Sequence, residues 1–208
     1  MSRILGIIFL LAGAGLIGFG INMLDREPPE LELPADMEGV IVESPPEILL
    51  PFTLQDHTGK PFTNDSLEGK WSLMFFGYTN CPDVCPTSMG VMSGLSKKED
   101  LKDFNFIFAT VDPQRDTVEK IADFVGFFDP RFIGLTGEKA EIDKFRDTLG
   151  IIYDFEGDTK TDDYIVTHFA ALYLFDPRGR MRAYVLPPHD IKRVYEAVKL
   201  VHGYYEAN

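Results

Sequence analysis

The 208-residue sequence is poor in cysteine and in basic side chains. Its two cysteines are too few for a small fold held together by several disulfides, so the pair points to redox or metal chemistry. Twenty Lys and Arg stand against 33 Asp and Glu. The net charge of −13 argues against a nucleic-acid partner, because a phosphate backbone would be repelled. With 45% hydrophobic residues, the chain can bury one full domain.

The longest apolar run lies at the start of the sequence. Residues 4–24 carry no charge, and a helix of that length spans roughly 30 Å, the thickness of a bilayer's hydrocarbon core. Arg3 precedes the run and Asp25 follows it, which predicts a cytoplasmic N-terminus and a single transmembrane helix at residues 1–24. A cleaved signal peptide is the alternative, although its apolar region is usually shorter.

The flanks of this run indicate a compartment. No cysteine follows it to carry a lipoprotein anchor, and three residues before it leave no room for an Arg-rich transit peptide. We therefore expect a single-pass protein of the bacterial inner membrane, with its C-terminal domain in the periplasm.

Residues 25–51 are acidic and rich in proline. The stretch from Asp25 to Glu47 holds eight carboxylates and one Arg. Such a composition predicts an extended, self-repelling linker that has no ligand of its own. The folded domain is then expected at residues 52–208.

From Phe52 onward, the hydrophobic pattern alternates between strand and helix periods. A hairpin is predicted at residues 52–63 with His57 exposed at its tip, and buried strands at 71–78 and 104–111. Helices are predicted at 84–99, 117–128, 138–149 and 190–202, a short strand at 151–155, and a second hairpin at 169–186 after a polar loop. This order predicts an α/β domain with a mixed sheet flanked by helices.

The two cysteines lie at a predicted strand-to-helix junction. The apolar run 73–76 ends at Gly77, and Cys81 and Cys85 follow four residues apart. If the helix begins near Cys81 or Pro82, both sulfurs lie on one face at the helix N-terminus, where the helix dipole lowers a thiol pKa. Two neighbouring thiolates form a disulfide or a soft-metal site, and the spacing leaves both open.

Four separated blocks carry a family resemblance. They are FFGYTNCPDVCPTSM at 75–89, VDPQRDT at 111–117, FIGLTG at 132–137 and DDYIVTHFAALYLFDPRGR at 162–180. In these blocks, the sequence resembles the Sco/SenC family of thioredoxin-like copper proteins in cytochrome c oxidase assembly. The resemblance runs from about Phe52 to the C-terminus. It implies a thioredoxin-like fold, copper as the cofactor, and Cys81, Cys85 and His168 as metal ligands.

The implied ligand set agrees with donor chemistry. A thiolate pair is a soft donor set that selects Cu(I), and one imidazole adds a donor that also suits Cu(II). His168 directly precedes the apolar stretch 169–174, which would hold its ring towards the cysteine loop; the alternative is a core histidine with ordinary partners. His189 and His202 compete for the role, and we expect both at the surface.

Acidic side chains provide candidates for a supporting layer around the ligands. Asp112 and Asp163 would accept a hydrogen bond from a ligand and fix its orientation. For Asp112, a turn that ends a strand is an equally good interpretation. Arg115 and Asp116 are expected to form a structural ion pair or a cap for the helix that follows.

Three functions remain open. The first is a metallochaperone for the copper A centre of cytochrome c oxidase, with oxidase subunit II and a second periplasmic copper chaperone as partners. The second is a thiol-disulfide oxidoreductase that reduces the cysteines of that target through Cys81 and Cys85. The third, a thiol peroxidase, is disfavoured because a proline follows each cysteine. A general oxidoreductase prefers CxxC, so the CxxxC spacing here favours copper.

Overall fold

A computed structural model describes residues 30–161 and 163–208 of the chain. Within them, Leu31–Ala207 form one compact unit. The predicted membrane segment at residues 4–24 lies outside the described residues. In the part of the chain that is described, no helix combines the length and the apolar character needed to cross a bilayer.

The unit contains ten strands and four α-helices among its described residues. In chain order they are β1 (Val40–Ile48), β2 (Thr53–Asp56), β3 (Pro61–Thr63), β4 (Ser72–Gly77), α1 (Val84–Leu95), β5 (Asn105–Thr110), α2 (Val118–Phe128), β6 (Ile133–Thr136), α3 (Lys139–Thr148), β7 (Tyr153–Gly157), β8 (Tyr164–His168), β9 (Leu172–Phe175), β10 (Arg180–Val185) and α4 (Ile191–Ala207).

Eight of the strands form one mixed sheet in the order β1-β10-β9-β4-β5-β6-β2-β3. The central strands β4, β5 and β6 run parallel, and antiparallel strands continue the sheet on both sides. The other two strands, β7 and β8, form a separate antiparallel ribbon. The predicted α/β class with a mixed sheet is confirmed.

Strand β4 is buried along its whole length, as its apolar run predicts. Phe75 and Phe76 point to opposite faces, because successive side chains alternate along a strand. On one face, Phe75 lies 6.5 Å from the ring of Phe108, which packs on Phe124 of α2 at 4.9 Å. On the other face, Phe76 lies 5.4 Å from Phe145 of α3. Helices therefore cover both faces of the sheet.

The prediction of a linker through residue 51 is wrong for its second half. Residues 40–48 form β1, which pairs with β10 at the edge of the sheet, and Val40 and Leu49 are buried in the core. The prolines and carboxylates of this strand are typical of a linker and led to the wrong prediction. An edge strand tolerates both, because one of its sides makes no ladder hydrogen bonds. The folded unit therefore begins ahead of Phe52.

Smaller differences concern single elements. The sequence pattern predicts neither β6 nor β8, and β8 occupies a stretch that the pattern assigns to a polar loop. Helix α1 ends at Leu95 and not at residue 99, whereas α4 continues to Ala207. The Phe52 hairpin is present as β2 and β3.

Candidate metal and thiol site

The loop after β4 carries the first cysteine. The Cys81 N–H donates to the Tyr78 carbonyl at 3.2 Å, which closes a turn before α1 begins at Val84. Cys81 thus precedes the helix, whereas Cys85 lies in its first turn. Cys81 is half-buried and Cys85 is fully buried. The predicted strand-to-helix junction is present, with the helix starting three residues after Cys81.

Cys85 is held close to the sheet by a glycine. A Cβ at Gly77 would lie 2.9 Å from Cys85 Sγ and 2.9 Å from the ring of Phe75. These distances are shorter than atoms tolerate without displacement, so only a residue without a side chain fits at the end of β4. Gly77 therefore allows the thiol to approach the backbone of the strand.

His168 reaches the cysteines from the β7–β8 ribbon. It is the last residue of β8, where it pairs with Tyr153, and its Nε2 lies 3.7 Å from Cys85 Sγ. The rings of Phe75 and Tyr78 contact the imidazole edge-on, at centroid distances of 6.0 and 6.2 Å. The expectation that the apolar stretch after His168 begins a strand at once is wrong, because β9 starts at Leu172.

The other imidazole nitrogen of His168 has no protein partner. Its Nδ1 is buried and forms no hydrogen bond among the described residues. A buried nitrogen without a partner is uncommon, and a bound ion is one of its ordinary explanations. The ring thus contacts the Cys85 sulfur through Nε2 and keeps Nδ1 without a partner among the described residues.

The two thiols differ sharply in acidity. A hydrogen bond from the Cys85 thiol lowers the pKa of Cys81 to about 4, with further help from His168 and from the backbone N–H groups of Asp83 and Cys85. The same hydrogen bond and burial raise the pKa of Cys85. The pair therefore exists as one accessible thiolate and one buried thiol, and both cysteines are free of disulfides.

The donor set suits a soft metal, although its members are not arranged as a closed cage. Two cysteine sulfurs and an imidazole match Cu(I) and Cu(II) by ligand type. In residues 30–161 and 163–208, no three His, Cys, Asp or Glu side chains already form a metal-holding group. Cys81 and Cys85 share a hydrogen bond, and its proton must leave before both sulfurs bind a metal.

Asp116 anchors the cysteine loop. It is fully buried and accepts hydrogen bonds from the Thr79 N–H at 3.0 Å, the Thr79 hydroxyl at 2.6 Å and the Thr110 hydroxyl at 2.6 Å. Burial raises its pKa, and these hydrogen bonds oppose the shift. The expected pairing of Asp116 with Arg115 is wrong, and Thr117 is the residue that caps α2. Sequence reasoning missed this anchor.

Asp112 supports the histidine strand and not a cysteine. Its carboxylate pairs with Arg115 at 2.5 Å and accepts a hydrogen bond from the Tyr164 hydroxyl at 2.7 Å. Arg115 in turn donates to the Tyr164 carbonyl at 2.9 Å and lies 3.5 Å above its ring. Asp163 is exposed, and its described hydrogen bond is a local one to Thr161.

The remaining histidines have partners of their own. His189 is half-buried: its Nδ1 accepts from the Ser88 hydroxyl at 2.8 Å and its Nε2–H donates to the Val185 carbonyl at 3.1 Å. Burial lowers its pKa. His202 packs against Trp71, 5.3 Å away. His57 accepts from the Gly134 N–H at 3.1 Å. The expectation that these three histidines are exposed at the surface is wrong, since each of them is half-buried.

A comparison with protein families decides the affiliation. The family described as SCO1/SenC matches residues 42–202. The chain belongs to the SCO1/SenC family. The resemblance seen in the sequence is thereby confirmed, and the match includes most of β1.

Individual relatives agree with this assignment. The human mitochondrial SCO1 homolog is 38% identical over 138 residues, which cover 64% of this chain and 46% of the human protein. The structure of Bradyrhizobium japonicum ScoI with copper bound is 40% identical, covers 76% of this chain and 99% of that one, and gives a TM-score of 0.64. The chain spans about half the length of the human SCO1/SenC relative.

A further solved structure connects the family to a process. BsSco, a member of the Sco family of cytochrome c oxidase assembly proteins with an identified disulfide switch, is 28% identical. The match covers 75% of this chain and 94% of BsSco with a TM-score of 0.59. These SCO1/SenC structures confirm the thioredoxin-like α/β fold.

Proposed function

We propose that this SCO1/SenC protein binds copper through Cys81, Cys85 and His168 and delivers it as cargo to the copper A centre of cytochrome c oxidase. The observation that carries the proposal is the approach of His168 Nε2 to 3.7 Å from Cys85 Sγ, with Nδ1 of the same ring left without a partner. The copper-bound ScoI structure and the assembly role of BsSco support the identity of the metal and of the process.

Each ligand has a defined part in the proposed site. The Cys81 thiolate is the accessible sulfur that meets copper first, because its pKa is lowered to about 4. Cys85 becomes the second thiolate when it loses its proton, since metal binding releases protons from thiols. His168 supplies the imidazole that makes the site acceptable to Cu(II) as well as Cu(I).

The proposed setting follows from the sequence. Residues 1–24 anchor the protein in the bacterial inner membrane, and the folded unit faces the periplasm. Oxidase subunit II receives the copper, and a second periplasmic copper chaperone supplies it. Reporter fusions placed before and after residues 4–24 test this orientation, and a periplasmic signal from the N-terminal fusion would contradict it.

An anaerobic Cu(I) titration of the full-length protein against a competing chelator tests the site. We expect one copper per protein, and we expect His168→Ala to weaken binding by more than about ten-fold. His202→Gln is the matched control, since it removes an imidazole at the opposite end of β4, beside Trp71. Equal copper affinity in the His168→Ala variant and the wild type would exclude the three-ligand site.

Thiol-disulfide exchange is the second candidate, because the pair combines an accessible thiolate with a buried thiol. In that reaction, Cys81 attacks a target disulfide and releases one target thiolate. Cys85 then loses its proton and attacks the Cys81 sulfur of the mixed disulfide, which releases the second target thiolate. The target gains two electrons, and a Cys81–Cys85 disulfide remains. However, a stabilised Cys81 thiolate favours the reduced pair, which makes the protein a poor reductant.

One transfer experiment separates the two candidates. The copper-loaded protein is mixed with a purified copper A domain, and metal and free thiols are counted on both partners. Copper movement with no loss of reduced cysteines, counted after the metal has been removed, supports the chaperone. Loss of two thiols from this protein without movement of copper supports the reductase.

A further inference from the structure

A cleft that includes Phe169, the residue after His168, contains none of the three proposed copper ligands among its lining residues. It has a volume of about 540 Å³ and lies between β1, the loop after α3, and the start of the segment that leads to β9. The lining residues are Glu43, Glu47, Asp147, Thr148, Leu149, Gly150, Ile152, Phe169, Tyr173, Met181 and Tyr184. A volume in this range accommodates a small ligand or a short stretch of peptide.

Aromatic rings form one wall of the cleft. Tyr173 and Tyr184 are cross-strand neighbours on β9 and β10, with ring centroids 5.8 Å apart. Phe169 contacts Tyr184 at 6.1 Å and is 43% exposed, and Ile152 beside it is 77% exposed. Exposed apolar side chains that border a concave, ring-lined surface indicate a binding site and not a solvated loop.

Carboxylates lie around these rings. The register of β1 against β10 shifts between Val42 and Glu47, and this irregularity places both Glu43 and Glu47 at the cleft. Asp147 contributes a third carboxylate, which is also paired with Arg146 at 3.0 Å. All charged groups of the lining are negative, and the whole chain carries −13. A cation is therefore the ligand that this field attracts.

A buried hydroxyl supplies an independent sign of a ligand. Tyr173 is 1% exposed, and its hydroxyl has no hydrogen-bond partner among the described residues. A buried hydroxyl without a partner is unfavourable, because it has lost its hydrogen bonds to water. A ligand with N–H donors would satisfy its oxygen, because a hydroxyl oxygen accepts hydrogen bonds.

We propose that this cleft receives a lysine or arginine side chain from a partner polypeptide. Such a side chain places its apolar stem against Phe169 and Tyr184, and its charged head near Glu43 and the Tyr173 hydroxyl. Phe169 directly follows His168, so the partner docks beside the histidine of the candidate metal site. The proposal concerns binding alone and does not depend on copper.

A peptide titration of the full-length, 15N-labelled protein tests this proposal. The probe is N-acetyl-Leu-Lys-Leu-amide, and the matched probe carries norleucine in place of lysine. We expect saturable amide shifts at Gly150, Ile152 and Phe169 with the lysine probe, and binding at least about three-fold weaker with the norleucine probe. Equal binding of the two probes, or no saturable shift, overturns the proposal.

Variants connect the binding to particular side chains. Glu43→Gln should weaken binding of the lysine probe about three-fold, whereas Asp123→Asn on the exposed surface of α2 removes the same charge elsewhere and should leave binding unchanged. Tyr173→Phe should weaken binding about ten-fold and leave unfolding stability equal or higher, since the variant loses a hydroxyl without a partner. If Glu43→Gln and Tyr173→Phe both bind like the wild type, the cleft is not the docking site.

Discussion

Replacing Gly77 by alanine should disturb the thiol pair by sterics alone. The new Cβ would lie 2.9 Å from Cys85 Sγ, 2.9 Å from the Phe75 ring and 3.1 Å from the Phe108 ring. Both rings and the thiol are fully buried, so none of the three neighbours can move into solvent. The φ of Gly77 is not positive, and backbone strain therefore adds nothing to the effect.

The expected magnitude follows from overpacking. Inserting a methyl group into a closely packed core costs about 1–3 kcal/mol. With three contacts at or near the limit, we expect Gly77→Ala to lower the free energy of unfolding by about 2 kcal/mol. The displaced Cys85 would also donate less well to Cys81, so the pKa of Cys81 should rise and copper affinity should fall.

Denaturant unfolding and alkylation of Cys81 at pH 6 measure these two effects. Gly90→Ala in α1 is the matched control, because a Cβ there meets nothing within 4 Å. Alanine favours helix over glycine, so this control should gain about 0.5–1 kcal/mol. In the Gly77→Ala, Cys85→Ala double variant, the contact between the new Cβ and the Cys85 sulfur is gone. The loss of unfolding free energy should therefore be smaller than the sum of the two single losses by at least about 0.5 kcal/mol. A Gly77→Ala protein with wild-type stability and wild-type alkylation would refute the reasoning.

Three further predictions concern single groups. Iodoacetamide should modify Cys81 rapidly at pH 6 while Cys85 stays unmodified, and peptide mass spectrometry reports both sites. Cys85→Ala should slow the reaction at Cys81, because it removes the hydrogen bond that lowers the pKa of Cys81 to about 4. Asp116→Asn should lower the free energy of unfolding by about 2–3 kcal/mol and weaken copper binding, because an amide cannot accept all three hydrogen bonds that Asp116 accepts. Unchanged copper binding in this variant would show that Asp116 has a purely structural role. The hydrogen bond from Arg131 lowers the pKa of Asp129 to about 2, so its stabilisation is present above the unfolded pKa of about 4 and is lost as pH falls through about 2. Asp129→Asn should therefore cost about 1 kcal/mol at pH 7, a modest value because the Arg131 side chain is 52% exposed, and the difference should shrink in unfolding curves recorded near pH 2.

Local pattern was sufficient for most of the sheet and helices. The sequence shows uninterrupted apolar stretches in β4 and β5 and a helical period of apolar residues in α2. These patterns predict the elements correctly, because the apolar residues that form them are the ones buried in the core. Strand β8 also has the residue types of a strand, because Tyr164 to Thr167 are all aromatic or β-branched. Ile165 is nevertheless exposed, so the sequence lacks the alternation that burial shows in the structure.

Pairing between distant segments was not predictable in the same way. The acidic, proline-containing β1 is a strand because it pairs with the edge of β10. No pattern within residues 40–48 identifies β10 as its partner. The pairing of Arg115 with Asp112 and not with Asp116 likewise depends on Tyr164, 49 residues away, which holds the guanidinium. Neither contact produces a periodic pattern in the sequence from which it could be predicted.

The candidate site consists of two halves that a single loop holds together. After β5, Asp112 bonds Tyr164 at the start of the strand that ends in His168, and Asp116 bonds Thr79, two residues before Cys81. Both carboxylates belong to residues 111–117, one of the four blocks that carry the family resemblance. The resemblance itself implies no role for this block. Because Asp112 and Asp116 are joined by a backbone hydrogen bond of 3.0 Å, the spacing between histidine and cysteines is set by a rigid turn and not by the ligands themselves. Asp112, which was expected to orient a ligand directly, therefore acts one step further away, on the strand that carries His168. Asp116 has the corresponding role on the cysteine loop.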